Sequence, residues 1–242
     1  MPGPVNRKRP FDVDGLKGRL AALLWPPRCL LCGEPGRQGR DLCRPCGDAL
    51  PWNRRACLRC ALPLPAAESA CGHCLRHPPL VDETHAALVY AFPVDRLLPR
   101  LKFHADLACG RLLSQLMIEA FAALPRPDAL IPLPLHRRRL RARGYDQALE
   151  LARPLAQAFD LPLLDDALIR RRGTPPQSRL DAAARRRNLR GAFAVDPDVV
   201  LPAHVTVIDD VVTTGATLHA AAGALRRAGA QRVDAWVCAR TP

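Results

Sequence analysis

The sequence has few lysines and aromatic residues, and it lacks a long apolar run. Only three of its 36 basic residues are lysines, and aromatic residues make up 5% of the chain. Charged residues interrupt every apolar stretch before it reaches the ~20 residues that a membrane-spanning helix needs. The apolar stretch at residues 20–27 is too short for the core of a signal peptide with its cleavage site. These absences predict a cytoplasmic protein without membrane insertion.

Common motifs of nucleotide binding and nucleophilic catalysis are absent as well. The sequence contains neither G-x-x-x-x-G-K-[ST] nor G-x-G-x-x-G, and no Ser-His-Asp or Cys-His arrangement is visible.

The length and the charge leave other classes open. The 242 residues suffice for one ordinary domain plus a small module, and a hydrophobic content of 48% can supply a core. The formal net charge of +13 fits a phosphorylated ligand, nucleic acid, or both. Because much of this charge can also be solvated surface, it does not identify the partner on its own.

Eight of the ten cysteines form four evenly spaced C-x-x-C pairs. The pairs begin every 14 residues and consist of Cys29 and Cys32, Cys43 and Cys46, Cys57 and Cys60, and Cys71 and Cys74. Two such pairs complete a tetrahedral site of four sulfurs, so the series predicts two closed Zn²⁺ sites. A closed site leaves no coordination position for a substrate, and the predicted role of zinc is therefore structural.

Other interpretations of the cysteines remain open at this point. Disulfides need an oxidising compartment, which the missing signal peptide argues against. An iron–sulfur cluster is a further alternative, although the spacing favours zinc ribbons. We expect neighbouring pairs to share a metal, rather than interleaved ones. Cys109 and Cys238 lie outside the series and are predicted to be buried apolar thiols.

The cysteine-rich segment also carries basic residues that can contact nucleic acid. They are Arg37, Arg40, Arg44, Arg54, Arg55 and Arg59. These arginines can follow a nucleic-acid backbone, and Trp52 can stack on a base. A solvated ribbon stabilised by zinc explains the same residues equally well.

Residues 205–217 have the pattern of a strand, a polar turn and a helix start. An apolar, β-branched run at 205–208 is typical of a strand that is buried on both faces of a parallel sheet. Asp209 and Asp210 follow where this strand is expected to end, and a helix is predicted at 218–228. A helix N-terminus offers free N–H donors to a phosphate, and carboxylates can accept hydrogen bonds from a ribose diol. The pattern thus predicts a sugar-phosphate site, although a polar turn before a Thr-capped helix is the simpler alternative.

This stretch resembles the 5-phosphoribosyl-1-diphosphate (PRPP) loop of type I phosphoribosyltransferases. The matching residues are Asp209, Asp210, Val211, Val212, Thr213, Thr214, Gly215, Ala216 and Thr217. The resemblance implies that these residues bind PRPP together with Mg²⁺. It also implies that Asp209 and Asp210 are catalytic and contact the ribose hydroxyls, while the Thr-Thr-Gly-x-Thr turn surrounds the 5′-phosphate.

The chain after residue 78 alternates between strand and helix patterns, which predicts an α/β domain. Strands are expected at 85–92, 128–135, 167–171, 205–208 and 232–238. Helices are expected at 97–124, as one helix or as two with a break near Gly110, in a segment ending near Phe159, and at 218–228. The segment 136–147 contains five arginines, and guanidinium clusters beside a strand end suit pyrophosphate. Residues 173–191 are polar and Arg-rich, which suggests a lid.

The order of these parts resembles the ComF family, whose members combine a type I phosphoribosyltransferase-like α/β fold with an N-terminal zinc ribbon. The motifs that carry the resemblance are the C-x-x-C series, Leu101-Lys102, Ile131-Pro-Leu-Pro-Leu135, Arg143-Gly-Tyr-Asp-Gln147, Gln177, Arg185-x-x-Asn188, and the loop at 208–217. The resemblance implies a double zinc ribbon at 29–77 and a domain with a parallel-rich sheet at 80–242. Leucines that recur at helical spacing predict an amphipathic segment at 1–28. One position departs from the family pattern, because Asp146 replaces the usual Asn.

The resemblance also implies which residues lie near pyrophosphate or in the lid. They are Lys102, Leu133, Leu135, Arg137, Arg143, Gln147, Gln177, Arg185 and Asn188. A solvated helix lysine is the simpler interpretation of Lys102. The segment 133–138 corresponds best to the pyrophosphate loop of type I enzymes.

Three functions are compatible with this sequence and with the resemblance to the ComF family, whose members are associated with DNA uptake. In the first, the protein is an enzyme that transfers a phosphoribosyl group from PRPP to an unassigned acceptor and releases pyrophosphate. In the second, it is a non-catalytic PRPP or nucleotide sensor in DNA uptake. In the third, the basic zinc ribbon is the functional part and contacts single-stranded DNA or DNA-uptake proteins.

Overall fold

A computed structural model describes residues 26–37, 39–171 and 191–242. The chain divides into two compact units, Met1–Ala49 and Leu50–Pro242. The division falls between Cys46 and Cys57, so that each unit contains four of the eight cysteines of the C-x-x-C series. The boundaries at 29–77 and 80–242 stay a prediction, and the amphipathic segment at 1–28 lies almost wholly outside the described residues.

The first unit is a small knuckle built around tight turns. The Cys29 N–H donates to Glu34 O at 2.8 Å, and the Gly33 N–H donates to Cys29 O at 2.9 Å. Gly33 takes a left-handed conformation with a φ of 81°, which glycine adopts without a steric penalty. Helix α1 (Arg44–Asp48) then starts directly after Cys43.

The second unit contains the remaining helices and strands. In chain order they are α2 (Gly72–Arg76), β1 (Thr84–Val89), α3 (Val94–His104), α4 (Leu107–Phe121), β2 (Ala129–Pro132), α5 (Arg137–Arg143), α6 (Gln147–Phe159), β3 (Leu168–Arg170), β4 (Phe193–Val195), β5 (His204–Val212), α7 (Ala216–Arg227) and β6 (Arg232–Arg240). Strands β1, β6, β5 and β2 form a parallel sheet in that order. Strands β3 and β4 form a separate antiparallel pair.

Helices cover both faces of the parallel sheet. On one face, the Trp236 ring of β6 lies 5.3 Å from the ring of Phe121 in α4 and 5.8 Å from that of Phe159 in α6. On the other face, alternate β6 residues such as Ala235 and Val237 share a buried cluster with Leu218 and other residues of α7. A sheet that is buried on both faces explains the nearly continuous apolar sequence of β5 and β6. The predicted α/β fold with a parallel-rich sheet and flanking helices is confirmed.

The segment 97–124 forms two helices, but the break between them lies earlier than the predicted position near Gly110. Helix α3 ends at His104, and Ala105 adopts a left-handed conformation with a φ of 53°. Asp106 then caps α4 by accepting a hydrogen bond from the Cys109 N–H at 3.2 Å. Gly110 lies inside α4, and a Cβ at this position would approach Leu101 Cδ1 to 3.0 Å. The glycine thus permits close packing of α3 against α4.

The second group of cysteines is attached to the α/β domain at three places. The Thr84 N–H at the start of β1 donates to Leu58 O at 2.7 Å. At the end of β6, Arg240 Nε donates to Cys60 O at 3.0 Å. The segment after this group contacts α7, where Leu80 N–H donates to His219 Nδ1 at 3.1 Å. These bonds hold the second group of cysteines in the same unit as the sheet.

None of the described helices is both long and apolar enough to cross a membrane.

Candidate functional site

The acidic pair lies near the carboxyl end of β5, inside the parallel sheet. Strand β5 runs from His204 to Val212, four residues beyond the predicted end at Ile208. It continues because β6 pairs with it as far as Val212 and Arg240. Asp209 and Asp210 therefore lie on a strand that is paired with β6, which fixes their backbone. Ligands of open α/β sheets bind at this carboxyl edge.

Asp210 is a buried carboxylate whose two oxygens have different surroundings. Its exposed fraction is 4%. Asp210 Oδ1 lies 3.0 Å from Lys102 Nζ of α3, whereas Oδ2 is buried without a hydrogen-bond partner among the described residues. Buried polar oxygens are almost always hydrogen-bonded, so this oxygen is an acceptor that a ligand group or a water molecule can satisfy. The position of Lys102 also corrects the simpler sequence interpretation: it is not a solvated lysine but forms an ion pair at the site.

Asp209 is half-buried and accepts a hydrogen bond from the Asp210 N–H at 2.8 Å. Burial and the negative charge of Asp210 raise the pKa of the Asp209 carboxyl to about 8, against opposing contributions from the Asp210 N–H and Lys102. Because two adjacent carboxyl groups have only one nearby lysine, Asp209 keeps its proton at neutral pH in the free protein. A cationic ligand would favour the loss of this proton, since it would balance the second negative charge.

The polar turn leads into α7 without a side-chain cap. The turn residues Thr213 and Thr214 are exposed, and Gly215 is the N-cap of α7 with a φ of 72°. Only a long contact of 3.5 Å joins Thr214 Oγ1 to the Ala216 N–H. The 12-residue α7 has no acidic residue in its first turn. Its N-terminus therefore presents N–H groups and the positive end of the helix dipole to an anion.

The segment 133–136 lies beside the acidic pair, because β2 is the other neighbour of β5. Pro132 is in register with Ile208, and the Leu133 N–H donates to Ile208 O at 2.9 Å. Asp146 joins this segment to α6: its Oδ2 accepts from the Leu135 N–H at 2.7 Å, and its Oδ1 accepts from the Ala148 N–H at 2.9 Å. Both carboxylate oxygens act as acceptors. An aspartate therefore satisfies this position, and no amide donor is required there.

The other predicted residues are placed as follows. Arg137 is exposed on α5, and an Arg143 guanidinium nitrogen donates to Gln147 Oε1 between α5 and α6. The segment 137–143 thus forms a short helix in front of Asp146. Gln177, Arg185 and Asn188 lie outside the described residues, as does the predicted lid at 173–191 except for Gly191. The roles of all these residues in ligand binding stay predictions.

Two residues near the site were missed by the sequence interpretation. Arg170 lies on β3, its guanidinium carbon 5.3 Å from the centre of the Phe193 ring. Burial lowers the pKa of Arg170, and the nearby charge of Arg139 adds to this, whereas Asp209 and Asp146 oppose it. Tyr145 has a buried hydroxyl with no hydrogen-bond partner in the part of the chain that the structure describes. The sequence indicated Arg170 only as a basic residue near the end of a predicted strand. It indicated Tyr145 only as a member of the motif Arg143-Gly-Tyr-Asp-Gln147.

The eight cysteines of the series form two separate clusters of four sulfurs. In each cluster the sulfur atoms all lie within 4.8 Å of one another, and the members are Cys29, Cys32, Cys43 and Cys46 in one and Cys57, Cys60, Cys71 and Cys74 in the other. Neighbouring pairs thus share a site, as predicted. Sulfur ligands in this number and proximity fit Zn²⁺. The two clusters are zinc-binding sites, each with four cysteine ligands.

The thiols of each cluster differ in acidity because they compete for negative charge. Burial raises the pKa of the Cys29 thiol, but the N–H groups of Cys43, Cys32 and Leu31 outweigh it and lower the pKa to about 6. Burial and the neighbouring thiols raise the pKa of Cys46 instead. Four thiolates therefore need a cation to share the site. Cys109 and Cys238 are fully buried in the domain, which confirms their prediction as apolar thiols.

Comparisons with known proteins agree with this geometry. The model of a double zinc ribbon domain matches residues 20–75, and the model of a phosphoribosyl transferase domain matches residues 146–242. The chain is 35% identical over 159 residues to Competence protein F of Haemophilus influenzae, which covers 62% of this chain and 69% of that protein. It is also 35% identical over 173 residues to DNA utilization protein YhgH of Escherichia coli O157:H7, covering 69% of this chain and 76% of that protein. The match to DNA utilization protein YhgH of Salmonella typhi has 36% identity over the same shares of the two chains. The chain belongs to the ComF family, in which a double zinc ribbon precedes a phosphoribosyltransferase domain.

Proposed function

We propose that the chain binds PRPP at the carboxyl edge of its parallel sheet, with Asp209, Asp210 and the turn 213–217 as the binding residues. The observation that carries this proposal is the junction of a buried carboxylate with a partnerless oxygen and a helix that starts without a cap. The carboxylates can accept hydrogen bonds from the ribose hydroxyls. The turn and the first N–H groups of α7 can hold the 5′-phosphate.

The residues of the site also fit Mg²⁺ as a companion of PRPP. Asp209 and Asp210 offer the oxygen ligands that this hard cation prefers, either directly or through water. The partnerless Oδ2 of Asp210 is one such oxygen. Bound with PRPP, Mg²⁺ would neutralise charge on the departing pyrophosphate.

We further propose that the chain transfers the phosphoribosyl group. The bond between C1′ and the pyrophosphate oxygen breaks, and its electron pair leaves with pyrophosphate. A lone pair of the acceptor then forms the new bond to C1′, and the acceptor gives up its proton to solvent. The negative charge of Asp210, and of Asp209 once a bound cation has displaced its proton, stabilises the positive charge that develops on the ribose. Lys102 holds Asp210 in place, and the segment 133–136 lies beside the acidic pair where pyrophosphate would leave.

A second candidate function is binding of single-stranded DNA. Helix α5 contains five arginines and is mostly exposed, and the Arg143 guanidinium lies 5.5 Å from the ring centre of Phe103, a side chain with an exposed fraction of 71%. Cations beside an exposed aromatic ring suit a nucleic-acid strand. The names of two relatives, Competence protein F and DNA utilization protein, also support a role with DNA. We therefore propose a role connected with DNA uptake, in the cytoplasm, where reduced thiols can hold zinc.

Pyrophosphate release tests the proposed transfer against a sensor role. We expect the wild type to release pyrophosphate from PRPP when a suitable acceptor is supplied. The variant Asp209→Ala should lose this release, whereas the variant Asp165→Ala, at an exposed aspartate outside the site, should retain it. PRPP binding without pyrophosphate release for any of a panel of nucleobases and heteroaromatic acids would instead assign the chain to the sensors.

A further inference from the structure

A cavity of about 620 Å³ lies between the second cysteine cluster and the turn 213–215. Its lining comes from the knuckle that holds Cys60 and Cys74, the segment after it, Thr84 of β1, the carboxyl ends of β5 and β6, and the start of α7 with the turn before it. All of these residues belong to the unit Leu50–Pro242. The volume is within the range of ~300–1,000 Å³ that is usual for small-molecule sites.

The cavity is held open by hydrogen bonds between its walls. Arg240 joins the end of β6 to Cys60 O at 3.0 Å, and the Thr241 N–H donates to Val212 O at 3.1 Å. On the opposite side, the Leu80 N–H donates to His219 Nδ1 at 3.1 Å. The knuckle is thus bonded to the end of β6, and the segment after it is bonded to α7. The space between them is a built feature of the fold.

The floor of the cavity is apolar and its rim is basic. Val81, Val212 and Leu218 are buried, with exposed fractions of 3% to 4%. The basic residues of the lining are Arg59, Arg76, Arg240, His73, His77 and His219. No carboxylate lines the cavity in the part of the chain that the structure describes.

This composition selects for a particular class of molecule. A zinc ion with four thiolates has a net charge of about −2, and the three guanidinium groups still leave the wall positive. Apolar side chains favour contact with a flat ring, and guanidinium groups favour a carboxylate or phosphate. A molecule that joins both properties is a planar heteroaromatic ring with a negatively charged substituent.

We propose that this cavity binds a planar heteroaromatic anion, and that this molecule is the acceptor of the phosphoribosyl group. The assignment as acceptor rests on the proposed function, because Thr213, Thr214 and Gly215 line both the cavity and the proposed PRPP site. The second zinc site would then form a wall of the acceptor pocket. Binding to the cavity itself does not depend on PRPP.

Calorimetry with matched pairs of small molecules tests this proposal. Nicotinate is compared with nicotinamide, and orotate with uracil, on the zinc-loaded full chain without PRPP. We expect at least one acid to bind at least about tenfold more tightly than its neutral counterpart. If neither acid binds, or if acid and neutral compound bind alike, the proposal is wrong.

Charge reversals locate the binding. Arg76 lines the cavity and Arg55 does not, although both are exposed arginines of the same knuckle that donate to one backbone carbonyl, Gly72 O or Pro65 O. Arg76→Glu should weaken binding of the acid at least about tenfold, and Arg55→Glu should leave it within about twofold. Equal effects of the two variants would overturn the assignment. Arg59→Glu, in the same wall, provides a second variant with the same expectation as Arg76→Glu.

The same experiment separates this proposal from the proposed PRPP site. Asp209→Ala should abolish PRPP binding but leave binding of the acid intact, since Asp209 does not line the cavity. If the wild type binds the acid but not PRPP, the cavity site remains and its role as acceptor site is removed. If the wild type binds PRPP but not the acid, the proposed PRPP site remains and the cavity proposal is wrong.

Discussion

At the scale of single residues, the acidity of Asp209 links the site to pH. Burial and the charge of Asp210 raise the pKa of Asp209 to about 8, above the usual carboxyl value of 3.8. The folded chain therefore keeps a proton on Asp209 at pH values where the unfolded chain has lost it. Stability that depends on this carboxyl is highest at low pH and falls as the pH rises from about 4 to about 8.

We predict that Asp209→Asn stabilises the fold at high pH. At pH 4 the native carboxyl is neutral, as an amide is, so the variant and the wild type should have similar free energies of unfolding. The advantage of the variant should grow up to pH 8 and then stay constant. Urea unfolding between pH 4 and pH 9 measures this difference. An advantage that is the same at every pH would show that the Asp209 pKa is not raised.

Only part of the site could be predicted at this scale. The acidic pair and the turn were visible because they are contiguous in sequence. The ion pair between Lys102 and Asp210 was not, since these residues are far apart in the chain and meet only when α3 packs beside the sheet. The partners of Asp146 were missed for the same reason: the Leu135 N–H comes close through the path of the segment after β2.

At the scale of elements, local signals predicted the strands and helices better than their ends. The apolar runs of β5 and β6 predict buried parallel strands, but the extension of β5 to Val212 depends on pairing with β6. Gly110 looked like a helix break, whereas its lack of a side chain serves packing against Leu101. The real break at Ala105 is marked by an Asp cap that the sequence contains. A residue such as Gly110 can either end a helix or allow close packing, and its tertiary contacts determine which of the two it does.

The turn before α7 offers a test at the same scale. Gly215 has a φ of 72°, and a Cβ there would meet only Val212 Cγ2 at 3.9 Å, so Gly215→Ala adds backbone strain rather than a clash. We expect this variant to lose about 1–2 kcal/mol of stability and to bind PRPP roughly tenfold more weakly, because the strained turn shifts the N–H groups of the phosphate site.

The control for this variant is Gly229→Ala. Gly229 has a φ of 107° and open space around it, and it lies at the other end of α7. It should show a similar loss of stability in thermal unfolding but an unchanged affinity for PRPP in calorimetry. Equal affinities of the two variants would mean that the turn does not hold the phosphate.

At the scale of the whole molecule, the two zinc sites belong to different units. The first cluster lies in Met1–Ala49, whereas the second lies in the unit that contains the sheet. Structural zinc supplies folding free energy to the part of the chain that it closes. The two sites should therefore contribute to the stability of different parts of the protein.

Single-ligand variants test this division. We expect Cys60→Ser to destabilise the sheet-containing unit by about 3 kcal/mol, which corresponds to a fall in Tm of roughly 6–12 °C for a unit of this size. Cys32→Ser should leave the main thermal transition close to that of the wild type. Circular dichroism follows the transition, and zinc content measured on each variant shows which site was emptied. Equal shifts for both variants would contradict the division.

The central claim is that the acidic pair and the following turn bind PRPP, and calorimetry with PRPP and Mg²⁺ tests it most directly. The wild type should bind PRPP, and the variant Asp209→Ala/Asp210→Ala should bind at least about a hundredfold more weakly, or ~2.7 kcal/mol. The matched control is Asp165→Ala/Asp166→Ala, which removes an adjacent pair of exposed aspartates elsewhere in the same unit and should bind as the wild type does. Absence of binding to the wild type, or equal binding to all three proteins, would contradict the account.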